Sequence, residues 1–171
     1  MNGFRRSPYG VRQHLASILV GCCVVLSVPG PLAAQSVRIV DSVVVGVKGD
    51  EVAHHLAGSE TATGTSGGQA WRSATGWFSF TLRIYDDSPL TVVCVVAAGD
   101  AGAEAFDVLV DGRKAATFSR EPAQAKAAEL RVSLKLADTE GRTSVVVKLA
   151  AHPGSKTARL LELRTMQEHL E

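Results

Sequence analysis

The sequence predicts an all-β domain, a single antiparallel sandwich of jelly-roll type. Three observations predict it. Residues 106–117 alternate apolar and polar side chains on either side of Asp111-Gly112, a pair suited to the positive φ values of a type I′ hairpin turn. Residues 78–84, 130–136 and 143–151 show the same period of two, the pattern of a strand with one face buried. About eight such runs recur roughly every 10–15 residues with almost no helical periodicity, the spacing of a sandwich.

The elements follow in order. Residues 37–45 are β-branched and open the domain as a strand. Residues 46–68 are rich in Gly, Ser and Thr and read as a long surface loop with short ordered pieces. In the next strand Phe78, Phe80, Leu82 and Ile84 should face the core, and Ser79, Thr81 and Arg83 the solvent. Asp86, Asp87, Ser88 and Pro89 make a turn. Residues 90–98 are apolar almost throughout, as in a central strand covered on both faces. The Asp-Gly hairpin follows, then an Ala-rich link at 121–128, a strand over 130–136 and a turn at 138–142. A strand over 143–151 ends at His152-Pro153-Gly154. A last strand spans 157–165, and 167–171 read as a frayed tail.

The first 34 residues read as a secretory signal peptide. Arg5, Arg6 and Arg12 precede an apolar stretch, and small residues precede a cut near Gln35. The apolar run is too short for a membrane span, which needs ~20 residues. An export signal implies a secreted or periplasmic chain; Leu19-Val20-Gly21-Cys22 leaves lipidation at Cys22 as the alternative. The remaining 35–171 form one domain. Three of the 18 basic residues lie in the leader, leaving 15 against 17 acidic, a net −2. That balance offers no electrostatic footprint for nucleic acid or an anionic membrane. Cys94 alone remains of the three cysteines, so no internal disulfide can form and the fold must stand on its core. In an apolar run, Cys94 reads as a buried, inert thiol.

Several segments together resemble the substrate-binding β-sandwich, of galactose-binding-like fold, that follows the catalytic domain of β-L-arabinofuranosidase-type glycoside hydrolases (families 127 and 146). They are His54-His55-Leu56-Ala57-Gly58 with Thr63-Gly64, Gly68 to Arg72, Gly76-Trp77-Phe78-Ser79-Phe80, Gly99-Asp100-Ala101-Gly102, the run from Phe106 to Gly112, and Ala151-His152-Pro153-Gly154. The resemblance spans nearly the whole mature chain. It implies a non-catalytic carbohydrate-binding or accessory module without its catalytic domain. Three departures stand out. Val96 and Ala97 replace an aromatic pair, Glu104 stands near the place of an arginine, and Arg159-Leu160 replace a Gly-Gly.

No catalytic constellation, metal set or cofactor motif is evident. His54 and His55 are adjacent and, on a strand, would point to opposite faces. The expected ligand-binding residues are Trp71, Arg72, His54 and Asp100. Trp71, in a Gly-rich loop, offers an indole face to a sugar ring or anchors the loop by packing. Arg72 offers a planar donor fork to hydroxyls or a uronate, or ties the loop down through a salt bridge. Asp100 suits a sugar hydroxyl or a structural calcium. Trp77, opening a strand, reads as packing. The expected partner is an oligo- or polysaccharide, with plant-cell-wall glycans as one class. The alternative is a docking or dimerisation module that joins a separate glycoside hydrolase or another protein.

Overall fold

A computed structural model describes residues 36–99, 102–121 and 126–169. The signal-peptide reading of 1–34, Cys22 within it, and Asp100 lie outside the described residues. The elements run β1 (Ser36–Val44), α1 (Lys48–Ala53), β2 (Ala57–Ser66), β3 (Gln69–Arg83), β4 (Leu90–Val96), β5 (Glu104–Val110), β6 (Arg113–Arg120), β7 (Ala128–Leu134), α2 (Leu136–Thr139), β8 (Ser144–Ala151) and β9 (Leu160–His169).

All named strand pairs are antiparallel, as the sequence predicts. One layer has the order β2-β3-β8-β5-β6 and the other β1-β9-β4-β7. A single register pair, Arg72 opposite Leu160, is the seam where the layers meet. Phe78, Phe80 and Leu82 of β3, Phe106 and Val108 of β5, and Val147 and Leu149 of β8 point inward and are fully buried. Val92, Cys94 and Val96 of β4 and Leu163 of β9 meet them from the other layer. Each large side chain buried in this way contributes about 1.5–3 kcal/mol. Cys94 lies wholly within this core, and burial pushes its thiol up to about 12. Among the described residues no helix is long and apolar enough to cross a membrane.

The Asp-Gly hairpin forms as expected: Asp111 and Gly112 have φ of 48° and 78°, and Val110 pairs with Arg113. A second hairpin was not expected. Residues 46–68 hold α1 and the ten-residue strand β2, which pairs with β3 through a Gly67-Gly68 turn at φ 59° and 82°. β2 hides from periodicity because its residues 57–63 are all exposed, so no burial pattern marks them. At the other terminus residues 167–169, expected to belong to a frayed tail, continue β9, which runs to His169 and pairs with β1 from Glu162 onward. Residues 138–142 include the end of the short helix α2. Ser79 was expected at the solvent but is 6% exposed, a small side chain in register with Ala57 and Lys148.

Candidate functional site

The outer face of the β2-β3-β8-β5-β6 layer gathers the polar chemistry. Side chains alternate along a strand, so inward Phe78, Phe80 and Leu82 force Trp77, Ser79, Thr81 and Arg83 to the opposite face. Register then sets rows across the sheet. Ser59, Trp77, Ala150, Asp107 and Thr117 are successive partners in one row. The next row holds Ser79, Lys148, Leu109 and Lys114, followed by Thr81 with Val146 and Arg83 with Ser144. From Trp77 to Arg83 the face extends about 20 Å at the usual strand rise.

Trp77 is half-buried, and the Lys148 ammonium lies 4.1 Å from its ring centroid. Two strands away, about 10 Å at normal spacing, stands a fixed polar cluster. Asp107 Oδ1 accepts from Thr117 Oγ1 at 2.6 Å and from His152 Nε2 at 3.0 Å, and Lys114 Nζ lies 3.3 Å from Oδ2. The Thr117 bond, then the His152 bond, hold the Asp107 carboxyl down at about 2. Ala150, a small residue, stands between the indole and this cluster in the row. An indole offers a flat apolar face, and the cluster offers an ionised acceptor beside a hydroxyl and an imidazole. Asp107 is ionised at any ordinary pH, which suits hydrogen-bond acceptance and not general-acid chemistry.

The far end of this face is a cleft of about 330 Å³ between α1 and the sheet, lined by Asp41, His54, His55, Thr81, Arg83 and Ser144, with Ala53 on the helix side. His54 ends α1 rather than lying on a strand. Its carbonyl accepts from the Thr81 amide at 2.8 Å, while its ring reaches the Asp50 carbonyl at 2.8 Å and Asp41 Oδ1 at 3.4 Å. Burial pushes Asp41 up. The amide and guanidinium of Arg83 and the His54 ring outweigh it, so the carboxyl sits below its usual range.

Of the four residues expected to bind ligand, Asp100 lies outside the described residues, and Trp71, Arg72 and His54 do not form one site. Trp71 lies on β3, not in a loop. It is half-buried opposite Gly64, where an added Cβ would stand 2.6 Å from its ring, so the indole lies on the glycine backbone. Arg159 lies 5.5 Å from the ring centroid. Arg72 donates through Nε and Nη2 to the two Glu51 oxygens at 2.9 Å each, and through Nη1 to Thr61 Oγ1 at 2.9 Å. Both partners of that ion pair are nearly buried, so the fork joins α1 to the β2–β3 hairpin. Of the three described residues, His54 alone lines the outer-face cleft. Glu104, where the family resemblance led one to look for an arginine, is 1% exposed and paired with Arg120 Nε at 2.7 Å.

The residues that the fold gathers on the outer face, and that the sequence reading did not bring together, are Trp77, Asp107, His152 and Lys148. The alternation at 78–84 did carry the signal for Trp77, since a residue preceding an inward Phe must point outward. Nothing in the sequence announces that Asp107 and His152, 45 positions apart, meet. Among the described residues no group of three or more His, Cys, Asp or Glu could hold a metal ion.

No curated protein matches the chain in sequence. In structure it is similar to a family 35 carbohydrate-binding module from Clostridium thermocellum, with TM-score 0.51, 10% identity, and 76% of this chain and 97% of the module covered. It is also similar to the CBM36-1 domain of a multidomain xylanase from the hindgut metagenome of Trinervitermes trinervoides, at 0.48 and 12%, covering 80% of this chain and 100% of that domain. An exo-β-1,3-galactanase from Phanerochaete chrysosporium matches at 0.49 and 11%, covering 78% of this chain and 29% of that enzyme. At such identities the likeness is one of fold, and the first of the three carries it: the chain has the β-sandwich fold of a carbohydrate-binding module. A family model matches residues 34–166, and the chain belongs to that family, the family of unknown function DUF6805.

Proposed function

We propose that this protein is a non-catalytic carbohydrate-binding module that takes oligo- or polysaccharide along the outer face of the β2-β3-β8-β5-β6 layer. The observation that carries the reading is the row Trp77–Ala150–Asp107–Thr117, which sets an aromatic platform beside a fixed polar cluster on one face of the sheet. A sugar ring stacks its C–H face on the indole once Lys148, a long flexible side chain, swings aside. Its hydroxyls then donate to Asp107 and accept from Lys114. Each polar contact replaces one with water, so the net gain per contact is small and binding is weak. The sandwich fold shared with a carbohydrate-binding module supports the reading.

The resemblance to the substrate-binding sandwich of arabinofuranosidase-type enzymes selects arabinose- and galactose-containing glycans for the first trials. An exported module acting in the periplasm or outside the cell fits such glycans. Trp71 and Arg72 serve the hairpin in this reading, and His54 belongs to the far end of that face.

Affinity electrophoresis and calorimetry with arabinan, galactan, xylan and pectic polymers test the proposal. Binding to one class that Trp77→Ala and Asp107→Asn each weaken, with folding intact, supports it. Binding that survives both variants removes the outer face from the mechanism. No binding to any glycan by the folded protein favours a protein-docking module instead.

A further inference from the structure

A second recess lies away from the outer face, where the β3–β4 connection meets β1. It encloses about 350 Å³ and is lined by Arg38, Ile39, Tyr85, Asp87 and Gln167, among others. That volume is at the small end of ligand pockets. Two of its walls are apolar groups that the fold leaves in solvent: Ile39 is 53% exposed and Tyr85 59%. They come from elements 46 positions apart in sequence and line the same hollow.

The loop that carries Tyr85 is held unusually firmly for an exposed turn. Gln167 of β9 is 3% exposed and spends its whole amide on that loop. Its Oε1 accepts from the Tyr85 amide at 2.6 Å. Its Nε2 donates toward the Tyr85 carbonyl at 2.8 Å and toward the Ser88 carbonyl and hydroxyl at 2.9 and 3.2 Å. Two residues earlier on β9, Thr165 Oγ1, also fully buried, donates to the Arg83 carbonyl at 2.9 Å. Two buried polar side chains of β9 therefore fix the backbone on both sides of an aromatic ring whose own side chain gains little burial. Ordering a surface loop costs conformational entropy at every residue fixed. A packing role for Tyr85 does not explain that cost, because more than half of the residue stays in water. A preorganised binding wall does, since rigidity present before binding need not be acquired during it.

We infer that this recess is a second, separate carbohydrate subsite, which takes the terminal one or two sugar units of a glycan. Tyr85 is the stacking wall, Ile39 the opposing apolar contact, and Asp87 the acceptor for sugar hydroxyls. The size and the walls select a short end over the interior of a chain, whereas the outer-face rows from Trp77 to Arg83 extend about 20 Å. The ligand class rests on the carbohydrate reading above, while the site itself rests on independent residues.

Nuclear magnetic resonance of the full chain separates the two. Arabinobiose and galactobiose serve as short probes, and arabinan and galactan as long ones. The Ile39 methyls and the Gln167 side-chain amide report on the recess, and the Trp77 indole N–H reports on the outer face. We expect a biose to shift Ile39 and Gln167 while leaving the Trp77 indole in place. Tyr85→Ala should abolish those shifts and Asp87→Asn weaken them, with Trp77→Ala leaving them intact. Both Tyr85 and Asp87 are exposed, so these variants keep the Gln167 backbone clamp and the fold. Bioses or polymers that move the Trp77 indole alone refute this subsite and leave the outer-face reading standing. Shifts at Ile39 and Gln167 that survive Tyr85→Ala also refute it. If no probe moves either set, both readings fall together.

Discussion

Replacing Arg72 with Met tests whether that residue builds the fold or binds ligand. The guanidinium makes two 2.9 Å bonds to Glu51 and one to Thr61, with Arg72 and Glu51 only 11% and 8% exposed. Removing it leaves the Gly46 amide at 2.8 Å to hold the Glu51 carboxylate. Burial pushes Glu51 up, and the Arg72 bonds and charge more than offset that, so its carboxyl lies below the usual range. Breaking one side of a buried ion pair costs about 3–5 kcal/mol. Glu51 keeps the Gly46 amide and can take up a proton, so the lower end, about 3 kcal/mol, is the expected loss. For a domain of this size that is a fall in Tm of roughly 10–15 °C. Urea unfolding followed by tryptophan fluorescence, with calorimetry beside it, reads both quantities. The double variant Arg72→Met, Glu51→Met should recover most of the loss, because an apolar pair of similar volume often replaces a buried ion pair at little cost. Glu51 contributes stability above the unfolded carboxyl range, and that contribution fades as pH falls through its lower folded value. The pH dependence of stability should therefore flatten in acid for both variants. A loss below about 1 kcal/mol, or a double variant no better than the single one, refutes the reasoning. So does a loss of glycan binding in an Arg72→Met protein that remains folded.

Four further outcomes are expected. Trp77→Ala weakens polysaccharide binding with a stability loss smaller than that of Arg72→Met, read by affinity electrophoresis and urea unfolding. Asp107→Asn removes a stability contribution that in the wild type is full above the ordinary carboxylate range and fades as pH falls toward about 2, so the two proteins converge in Tm in strong acid. Gly64→Ala drives a Cβ to 2.6 Å from the Trp71 ring, displacing the indole at a cost of about 1–3 kcal/mol; a red-shifted Trp71 emission, isolated in a Trp77→Phe background, reports the displacement. Cys94, wholly buried with its thiol pushed up to about 12, stays unreactive toward a disulfide reagent in the native protein and reacts on unfolding; fast native labelling contradicts that placement.

The core strands were legible because their burial is one-sided. Phe78, Phe80 and Leu82 alternate with polar residues, and Asp111-Gly112 requires a local conformation that few other pairs adopt. β2 was not legible, since both of its faces meet water over 57–63 and its order comes from pairing with β3. The site was less legible still. Arg72 and Trp71 carry the residue types of sugar contacts, yet their surroundings turn them to structural use. Glu51 takes the guanidinium across 21 positions, and Gly64 takes a face of the indole across the hairpin.

The sequence by itself determined the strand faces, the Asp-Gly turn, the buried lone thiol and the balance of charge. All of these depend on residues within a few positions of one another, or on composition. Only the tertiary structure decided which polar side chains are occupied and which are presented. Asp107 meets His152 and Thr117 by strand register, Gln167 clamps Tyr85 across 82 positions, and Arg72 is taken by a helix that periodicity did not reveal. The physical reason is that apolar burial is set by a pattern repeating along the chain, whereas a polar group's partner is set by register and seam, which bring distant positions to within 3 Å.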